Sequence, residues 1–372
     1  MRPIFLSLMM SAALCADDKA EPKPLPSTEQ EKVSDGWENA SPGSLGLKTA
    51  PLEEMLQKLK DGTYKNIHSV LLVKKGKLVL DEYFRGTNAE GNSQEFGPDT
   101  LHTVQSCTKS VTSILIGIAI DQKLIRGVDE PISTFFPKEA ELFKDDKKAA
   151  ILLKHCLSMS AGLSWNESGI PYTDPRNDAM GLNKSRDPVR YVFERSVTGA
   201  AGEEFLYHSG ISISLGEALH HAAGMDVDLF AEKHLFGPLG ITRFRWPKTP
   251  SGAVHTGGGL WLRPRDMAKL GQLFLNKGRW GDQQIVSEAW VRESTKQQVP
   301  YRGYGYQWWV RNFRTRDHLI EGFAAQGLGG QFIIVLPDLE TVAVFTGWNV
   351  GALTEQPFDM LQRYIIPAVD VK

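Results

Sequence analysis

The chain has very few cysteines, three among its 372 residues. Cys15 lies in the amino-terminal segment, and the two others, Cys107 and Cys156, are too few for the disulfide framework of a domain this large. The sequence leaves open whether these two cysteines form a disulfide. No cysteine pattern has the spacing of a metal site, so we expect neither a metal ion nor a cofactor.

The chain also lacks a strong charge of either sign. Its formal net charge is −2, and no run of basic residues is interleaved with aromatic ones, so nucleic-acid binding has no support. The apolar content of 41% and the charged content of 23% are ordinary for a folded soluble protein. We therefore expect a small-molecule ligand as the partner, and the oligomeric state stays open.

No apolar stretch in the sequence is long enough to span a membrane. Residues 4–14 are apolar and follow the positively charged Arg2, a pattern typical of a secretory signal peptide. We expect residues 1–16 to be removed on export to the periplasm or the outside, and residues 17–45 to form a flexible leader. The alternative is a lipid anchor on Cys15, but Leu14 is bulkier than such sites usually accept.

The remaining residues, 46–372, have strand patterns near both ends and a helical middle. Strands are predicted at 69–73 and 78–84, joined by a turn, and at 304–310, 331–336 and 341–346. Helices are predicted at 52–59, 149–157, 211–223, 265–276 and 357–365. Strands from both ends of the chain must share one sheet. The fold class is therefore α/β (α+β), an antiparallel sheet flanked by helices, with a mostly helical insertion at about 148–250.

Ser106 and Lys109 form the most informative motif in the sequence. Three residues apart at the start of a predicted helix, they share one helix face. A serine hydroxyl is a poor nucleophile until a base removes its proton. A lysine can be that base where burial and the helix dipole lower its pKa. The motif alone is weak, because many helices carry a capping serine followed by a solvated lysine.

The motifs that follow resemble those of the serine β-lactamase and penicillin-binding-protein superfamily. The first family motif would be Ser106-x-x-Lys109, and the second would be Tyr207-His208-Ser209. Further matches stand in family order at 155–165, 238–241, 258–260 and 265–273. The similarity covers roughly residues 50–370, and is greatest to the branch with class C β-lactamases, esterases and 6-aminohexanoate-dimer hydrolases. It implies a β-lactamase/transpeptidase-like serine hydrolase domain at 46–372.

The chain departs from this family at the third motif, which is often Lys-Thr-Gly or His-Thr-Gly. His255-Thr256-Gly257 matches the string, but it precedes the predicted helix at 265–276, whereas the family motif follows that helix. The segment that matches by position is 325–331, which has no Lys or His to bind the carboxylate of a β-lactam. This departure disfavours an efficient β-lactamase and favours neutral esters or amides.

The resemblance implies acyl transfer in two steps. Ser106 attacks a carbonyl, and Lys109 and Tyr207 share its proton, with the identity of the base left open. The N–H groups of Ser106 and Leu328 would bind the oxyanion, and flanking glycines would let the strand approach the substrate. These glycines are Gly327 and Gly329. Ser209 either hydrogen-bonds Lys109 or the substrate, or caps the helix at 211–223.

Aromatic and titratable side chains complete the set of candidates. We expect about two of six aromatic residues to contact the substrate, namely among Trp165, Tyr304, Tyr306, Trp308, Trp309 and Trp348. Four histidines have no acidic partner by spacing and are interpreted as structural: His155, His208, His220 and His221. Asp266 with Arg263 and Arg265 is interpreted as an ion pair at a helix start.

The leading hypothesis is an exported serine hydrolase that cleaves a carboxylic ester or a linear amide. The alternatives are a β-lactamase or D-alanyl carboxypeptidase, and a non-catalytic ligand-binding receptor of the same fold. The missing cation of the third motif disfavours the first alternative. An intact set of Ser106, Lys109 and Tyr207 disfavours the second, because a receptor needs no activated nucleophile.

Overall fold

The computed structural model describes residues 35–315 and 318–370 of the chain. The predicted signal peptide, 1–16, and most of the predicted leader lie outside the described residues. Residues 35–45 were expected in the leader, but they pack onto the domain. The buried Trp37 donates from Nε1 to the Arg265 carbonyl at 3.2 Å, and Asp35 pairs with Arg265 at 2.7 Å. These residues therefore belong to the folded domain.

The central sheet joins the two ends of the described chain, as the sequence predicts. Its strands are β1 (Ile67–Lys74), β2 (Lys77–Tyr83), β9 (Trp309–Arg314), β10 (Leu319–Gly327), β11 (Gln331–Leu336) and β12 (Thr341–Gly347). They form a six-stranded antiparallel sheet in the order β2-β1-β12-β11-β10-β9. Three two-stranded sheets use β3 (Gly86–Thr87), β4 (Ser93–Gln94), β5 (His102–Thr103), β6 (Trp261–Leu262), β7 (Arg279–Trp280) and β8 (Gln283–Gln284).

Helices cover both faces of the sheet. They are α1 (Thr49–Lys60), α2 (Cys107–Asp121), α3 (Asp146–Ala149), α4 (Leu153–Leu157), α5 (Asp178–Leu182), α6 (Pro188–Phe193), α7 (Ser209–Ala223), α8 (Val227–Ala231), α9 (Pro264–Leu275), α10 (Glu288–Ser294), α11 (Gln356–Met360) and α12 (Ile366–Val369). Since strand side chains alternate, Leu71 packs with α2 and α9 in the larger core. Its neighbour Leu72 packs with α1 and the carboxy-terminal helices.

Two predicted elements differ from the structure. The helix expected at 149–157 is split into α3 and α4, because Leu152 forms a β-bridge with Pro131 and the Ile151 carbonyl accepts the Ile132 N–H. The strand expected at 304–310 begins only at Trp309. A Cβ on Gly305 would lie 2.1 Å from the Ser294 carbonyl oxygen, so packing against that carbonyl fixes this segment. Strand β10 was not predicted.

The structure also describes the state of the two cysteines, the lengths of the helices and the grouping of possible metal ligands. Cys107 and Cys156 are both free and buried, so they do not form a disulfide. No helix within residues 35–315 and 318–370 has the length and apolar character needed to cross a bilayer. In the same ranges, no cluster of three or more His, Cys, Asp or Glu could hold a metal ion.

Candidate active site

The structure brings together the three predicted catalytic residues at the start of α2. Ser106 precedes the first residue of α2, and Lys109 lies in its first turn. The Lys109 Nζ is 3.0 Å from Ser106 Oγ and also donates to the carbonyl oxygen of Gly257. The same Nζ lies 5.0 Å from the centroid of the Tyr207 ring. A nucleophile, an amine and a phenol therefore share one site.

A strained turn presents Ser106 at the surface of this site. Gln105 adopts a φ of +47°, a left-handed conformation that costs a non-glycine residue free energy. The Gln105 carbonyl accepts the Thr108 N–H at 2.9 Å and the Thr108 hydroxyl at 2.6 Å. These bonds hold the turn in place. Ser106 is half-buried and its side chain forms no cap bond, so its hydroxyl stays available to Lys109.

The segment predicted to carry the second oxyanion donor lies directly against this turn. A Cβ on Gly327 would be 2.4 Å from the Val104 carbonyl oxygen, so only glycine fits there. Across residues 35–315 and 318–370, neither the Ser106 N–H nor the Leu328 N–H meets a hydrogen-bond acceptor. Leu328 is half-buried. Both donors are thus available to a developing oxyanion.

Burial shifts the proton affinities of the two candidate acid–base groups in opposite directions. Burial lowers the pKa of Lys109 to about 8, and the negative charge of Glu167 partly opposes this shift. Burial raises the pKa of Tyr207 above its ordinary value; Glu167 adds to this, and a hydrogen bond with Ser106 opposes it. Near pH 8, Lys109 can therefore be a neutral amine, while Tyr207 keeps its proton.

A model of the beta-lactamase family matches residues 65–350. The chain belongs to the beta-lactamase family. The match spans the sheet, the Ser106 turn and the segment around Tyr207, and it confirms the resemblance and the fold class. Family membership also makes the chain a serine hydrolase.

Individual relatives agree with the family assignment. A 6-aminohexanoate-dimer hydrolase from Paenarthrobacter ureafaciens is 24% identical over 329 residues, which cover 82% of this chain and 79% of the relative. A penicillin-binding-protein homologue from Caulobacter crescentus superposes with a TM-score of 0.67 at 17% identity, covering 89% of this chain and 99% of the homologue. A family VIII carboxylesterase superposes with a TM-score of 0.62 at 17% identity, covering 87% of this chain and 98% of the esterase. At these identities the two structures establish the fold alone.

The His255-Thr256-Gly257 string has a role that its sequence did not indicate. The Gly257 carbonyl accepts a hydrogen bond from Lys109. The Thr256 carbonyl accepts one from Thr112 at 3.2 Å, one turn further along α2. The backbone of this string therefore orients the candidate base. His255 itself is bonded to Asn183 at 2.9 Å.

Glu167, a buried carboxylate beside the site, was not among the residues predicted from the sequence. Its oxygens accept four hydrogen bonds, all from neutral donors: Trp165 Nε1 at 2.7 Å, the Tyr172 hydroxyl at 2.7 Å, the Ser209 N–H at 2.8 Å and the Ser209 hydroxyl at 2.5 Å. Glu167 is 3% exposed. In the sequence it resembles any loop glutamate, and only the tertiary structure shows its burial.

Glu167 also changes the interpretation of two predicted site residues. Ser209 bonds Glu167 and is not the helix cap, because His208 Nδ1 accepts the Ile211 N–H at 3.2 Å in that role. Trp165 was expected at the substrate, but it is 7% exposed and stacks on His208 with centroids 3.8 Å apart. Its ring packs in the larger core, and its N–H donates to Glu167. Burial also lowers the pKa of His208, which therefore stays neutral.

Two of the six aromatic candidates are half-buried beside the predicted site residues. The Trp309 ring stacks on Tyr207 with centroids 6.2 Å apart. The Trp348 ring lies against Gly329, where a Cβ would be 2.8 Å from it. Gly329 has a φ of +85°, which also favours glycine. Tyr304, Tyr306 and Trp308 are buried in the fold.

Proposed function

We propose that this chain hydrolyses a carboxylic ester or a linear amide through an acyl-enzyme on Ser106. One observation carries the proposal. Lys109 is 2% exposed, and its amine lies 3.0 Å from Ser106 Oγ and has a hydroxyl and a carbonyl as its hydrogen-bond partners. A buried lysine without a carboxylate contact can lose its proton and serve as a base.

Acylation begins when neutral Lys109 takes the Ser106 proton and Ser106 Oγ bonds to the substrate carbonyl carbon. The N–H groups of Ser106 and Leu328 stabilise the oxyanion, a contribution of about 3 kcal/mol per donor. Tyr207 then donates its proton to the leaving oxygen or nitrogen as that bond breaks, and Lys109 returns a proton to Tyr207. The raised pKa of Tyr207 suits a proton donor better than a base.

Deacylation follows the same path with water as the nucleophile. Lys109, neutral again, removes a proton from water as the oxygen attacks the acyl carbon. The oxyanion collapses, Ser106 Oγ leaves and takes the proton held by Lys109, and the acid product departs with Lys109 neutral again. The same two N–H groups serve both steps, because both pass through a tetrahedral oxyanion.

Two relatives support the choice of substrates. The names of the 6-aminohexanoate-dimer hydrolase and the family VIII carboxylesterase describe an amide and an ester hydrolase. The segment 325–331 has neither Lys nor His, which disfavours β-lactams.

Export through residues 1–16 stays a prediction.

A fluorophosphonate probe with intact-mass measurement tests the proposal. We expect a single adduct on the unmodified protein and none on Ser106→Ala. The matched control is Ser110→Ala on the same helix, whose hydroxyl is bonded to the Gln307 carbonyl at 2.6 Å and should not react. Folded protein without an adduct would contradict the hydrolase and favour the non-catalytic receptor.

A further inference from the structure

The loop that carries the Leu328 N–H is short and rich in glycine. Leu328, Gly329 and Gly330 connect β10 to β11, and Gly327 stands opposite Gln331 where the two strands meet the loop. Gly329 and Gly330 have φ values of +85° and +92°. Because glycine has more backbone freedom than any other residue, two consecutive glycines do not hold this loop in one conformation by themselves. Contacts from outside the loop have to fix the direction of the Leu328 N–H.

The side chain of Gln331 supplies one of these contacts. Its Nε2 donates to the Leu328 carbonyl oxygen at 3.2 Å and to the carbonyl oxygen of Gly347, at the end of β12, at 2.5 Å. The glutamine is fully buried. Two carbonyl oxygens around one amide nitrogen also fix which way the amide faces, since the reversed amide would place its oxygen against both of them. The amide therefore ties the loop to the central sheet.

The backbone of Gln331 contacts the other half of the oxyanion pocket. Its carbonyl oxygen accepts the thiol of Cys107 at 3.4 Å, and Cys107 directly follows Ser106 in the chain. The Cβ of Gln331 also lies 3.1 Å from the position that a Cβ on Gly327 would take, and Gly327 packs against the Ser106 turn. Gln331 thus contacts both segments that carry the proposed oxyanion donors, the N–H groups of Ser106 and Leu328.

The other polar atom of the Gln331 side chain has no partner. Among residues 35–315 and 318–370, no donor reaches its Oε1, which is buried. A buried acceptor without a donor costs free energy, and this cost offsets part of what the two bonds of Nε2 contribute to stability. The position that the amide gives to the Leu328 carbonyl therefore explains this glutamine better than a contribution to stability does.

We propose that Gln331 is a positioning residue for the oxyanion pocket. By holding the Leu328 carbonyl, it keeps the N–H of the same residue directed at the point to which the Ser106 N–H is directed. Gln331 acts through Leu328 and not on the substrate, and the inference rests on the proposed function. Convergence matters because an N–H stabilises the oxyanion only at hydrogen-bond distance from the developing charge. A misplacement of about 1 Å can cost a factor of about 10² in rate.

Gln331→Met tests this role, because it keeps the side-chain length and removes both N–H donors. With p-nitrophenyl butyrate as the substrate, we expect kcat to fall about 10- to 100-fold. The KM should stay within about twofold, since the loss falls on the tetrahedral state and not on the bound ester. Propylboronic acid forms a tetrahedral adduct on an activated serine, and its inhibition constant should rise by a factor similar to the loss in kcat. The inflection of the pH profile should not move, because Lys109 is unchanged.

Gln272→Met is the matched control. Gln272 is 4% exposed, and within residues 35–315 and 318–370 its Oε1 is likewise buried without a donor. It lies on α9, a helix that carries none of the proposed catalytic residues. The variant makes the same chemical change as Gln331→Met, and its kcat and boronate inhibition constant should stay within about twofold of those of the unmodified protein.

Gln331→Asn replaces the methionine variant if that variant does not fold. It keeps the amide but shortens the side chain by one methylene, so the amide no longer reaches the Leu328 carbonyl and the same fall in kcat at constant KM is expected. A folded variant at this position with kcat and boronate inhibition constant within about twofold of the unmodified protein would overturn the positioning role. An equal loss in Gln272→Met would overturn it too. Neither result would affect the hydrolase, which the fluorophosphonate adduct on Ser106 tests.

Failure of the proposed function would be visible separately. If the ester is not cleaved and no adduct forms, the hydrolase is wrong, and amide hydrogen exchange decides whether Gln331 holds the loop. The Asn349 N–H donates to the Gly329 carbonyl at 2.9 Å, so its exchange rate reports on the order of the loop. Exchange about tenfold faster in Gln331→Met, but not in Gln272→Met, would support the hold on the loop. An unchanged rate would overturn it.

Discussion

Two buried lysines in this protein have nearly the same local setting. Lys109 and Lys269 each lie in the first turns of a helix, three residues after an oxygen-bearing side chain. Each donates to a glycine carbonyl, Lys109 to Gly257 and Lys269 to Gly240. Their exposed fractions are 2% and 0%. Burial lowers the pKa of both.

The two lysines differ in the residue that lies three positions before each of them in the chain. Lys269 lies 3.4 Å from the carboxylate of Asp266, which is also paired with Arg263 at 2.7 Å. Lys109 has the Ser106 hydroxyl in that place. A carboxylate stabilises the charged lysine, so Lys269 forms an ion pair that holds structure. A hydroxyl does not, so Lys109 suits the role of the proposed base beside Ser106.

The largest expected effect is that of Lys109→Met, which keeps the side-chain length and removes the amine. Loss of the general base should lower kcat/KM by about 10²- to 10⁴-fold. The free energy of unfolding should not fall, because no buried charge is left without its partner. Steady-state ester hydrolysis and chemical denaturation measure the two quantities. Activity within tenfold of the unmodified protein would assign the base to another group.

Lys269→Met should lower the free energy of unfolding and leave kcat/KM nearly unchanged, the opposite of Lys109→Met. It leaves Asp266 with Arg263 as its remaining cation, so we expect the free energy of unfolding to fall by about 1–3 kcal/mol. The kcat/KM per folded molecule should stay within about twofold. Denaturant titration alongside active-site titration separates these effects. A selective loss of kcat would mean that the Asp266 ion pair positions the site.

The pH dependence of kcat/KM distinguishes the two lysines in the unmodified protein. In the proposed mechanism the neutral form of Lys109 is the base, and burial lowers its pKa to about 8, so kcat/KM should rise with pH and level off above an inflection near pH 8. Below the inflection, the rate should fall about tenfold for each pH unit. Lys269→Met should keep this inflection. A profile flat from pH 6 to 9 would exclude Lys109 as the titrating base.

The sequence predicted this site only where local spacing reports it. Ser106 and Lys109 lie one helical turn apart, and the order of segments around Tyr207 resembles a known family. The glycine-rich segment at 325–331 was placed by the same order. Together with the alternation and turn signals of the sheet, these patterns were sufficient for the fold class.

The other contributors reach the site through tertiary contacts between distant segments. Gly257 is 148 residues from the lysine that it orients, and Ser209 is 42 residues from Glu167. Trp309, which stacks on Tyr207, begins β9, whose partner strand β10 was missed because Gly322 interrupts its apolar alternation. A glutamate in a loop or a tryptophan on an edge strand is ordinary in sequence. Its burial and its partners become known only from the structure.

The smallest expected effect comes from Glu167→Gln. The negative charge of Glu167 raises the pKa of Lys109 against the effect of burial. Its removal should therefore shift the inflection of kcat/KM to lower pH, and leave the plateau at high pH within a few-fold. The amide also presents one N–H₂ group to donors that need an acceptor, which should cost about 1–3 kcal/mol of stability.

Glu217→Gln is the matched control for this shift. Glu217 is a half-buried glutamate on helix α7, so the variant removes the same charge from the same part of the protein without altering the bonds of Ser209. Its inflection should stay at that of the unmodified protein. An unchanged inflection in Glu167→Gln, together with the stability loss, would reduce Glu167 to a structural support for Ser209. A shift to higher pH would contradict the assignment of Lys109 as the base, because removing a nearby negative charge can only make its ammonium form less stable.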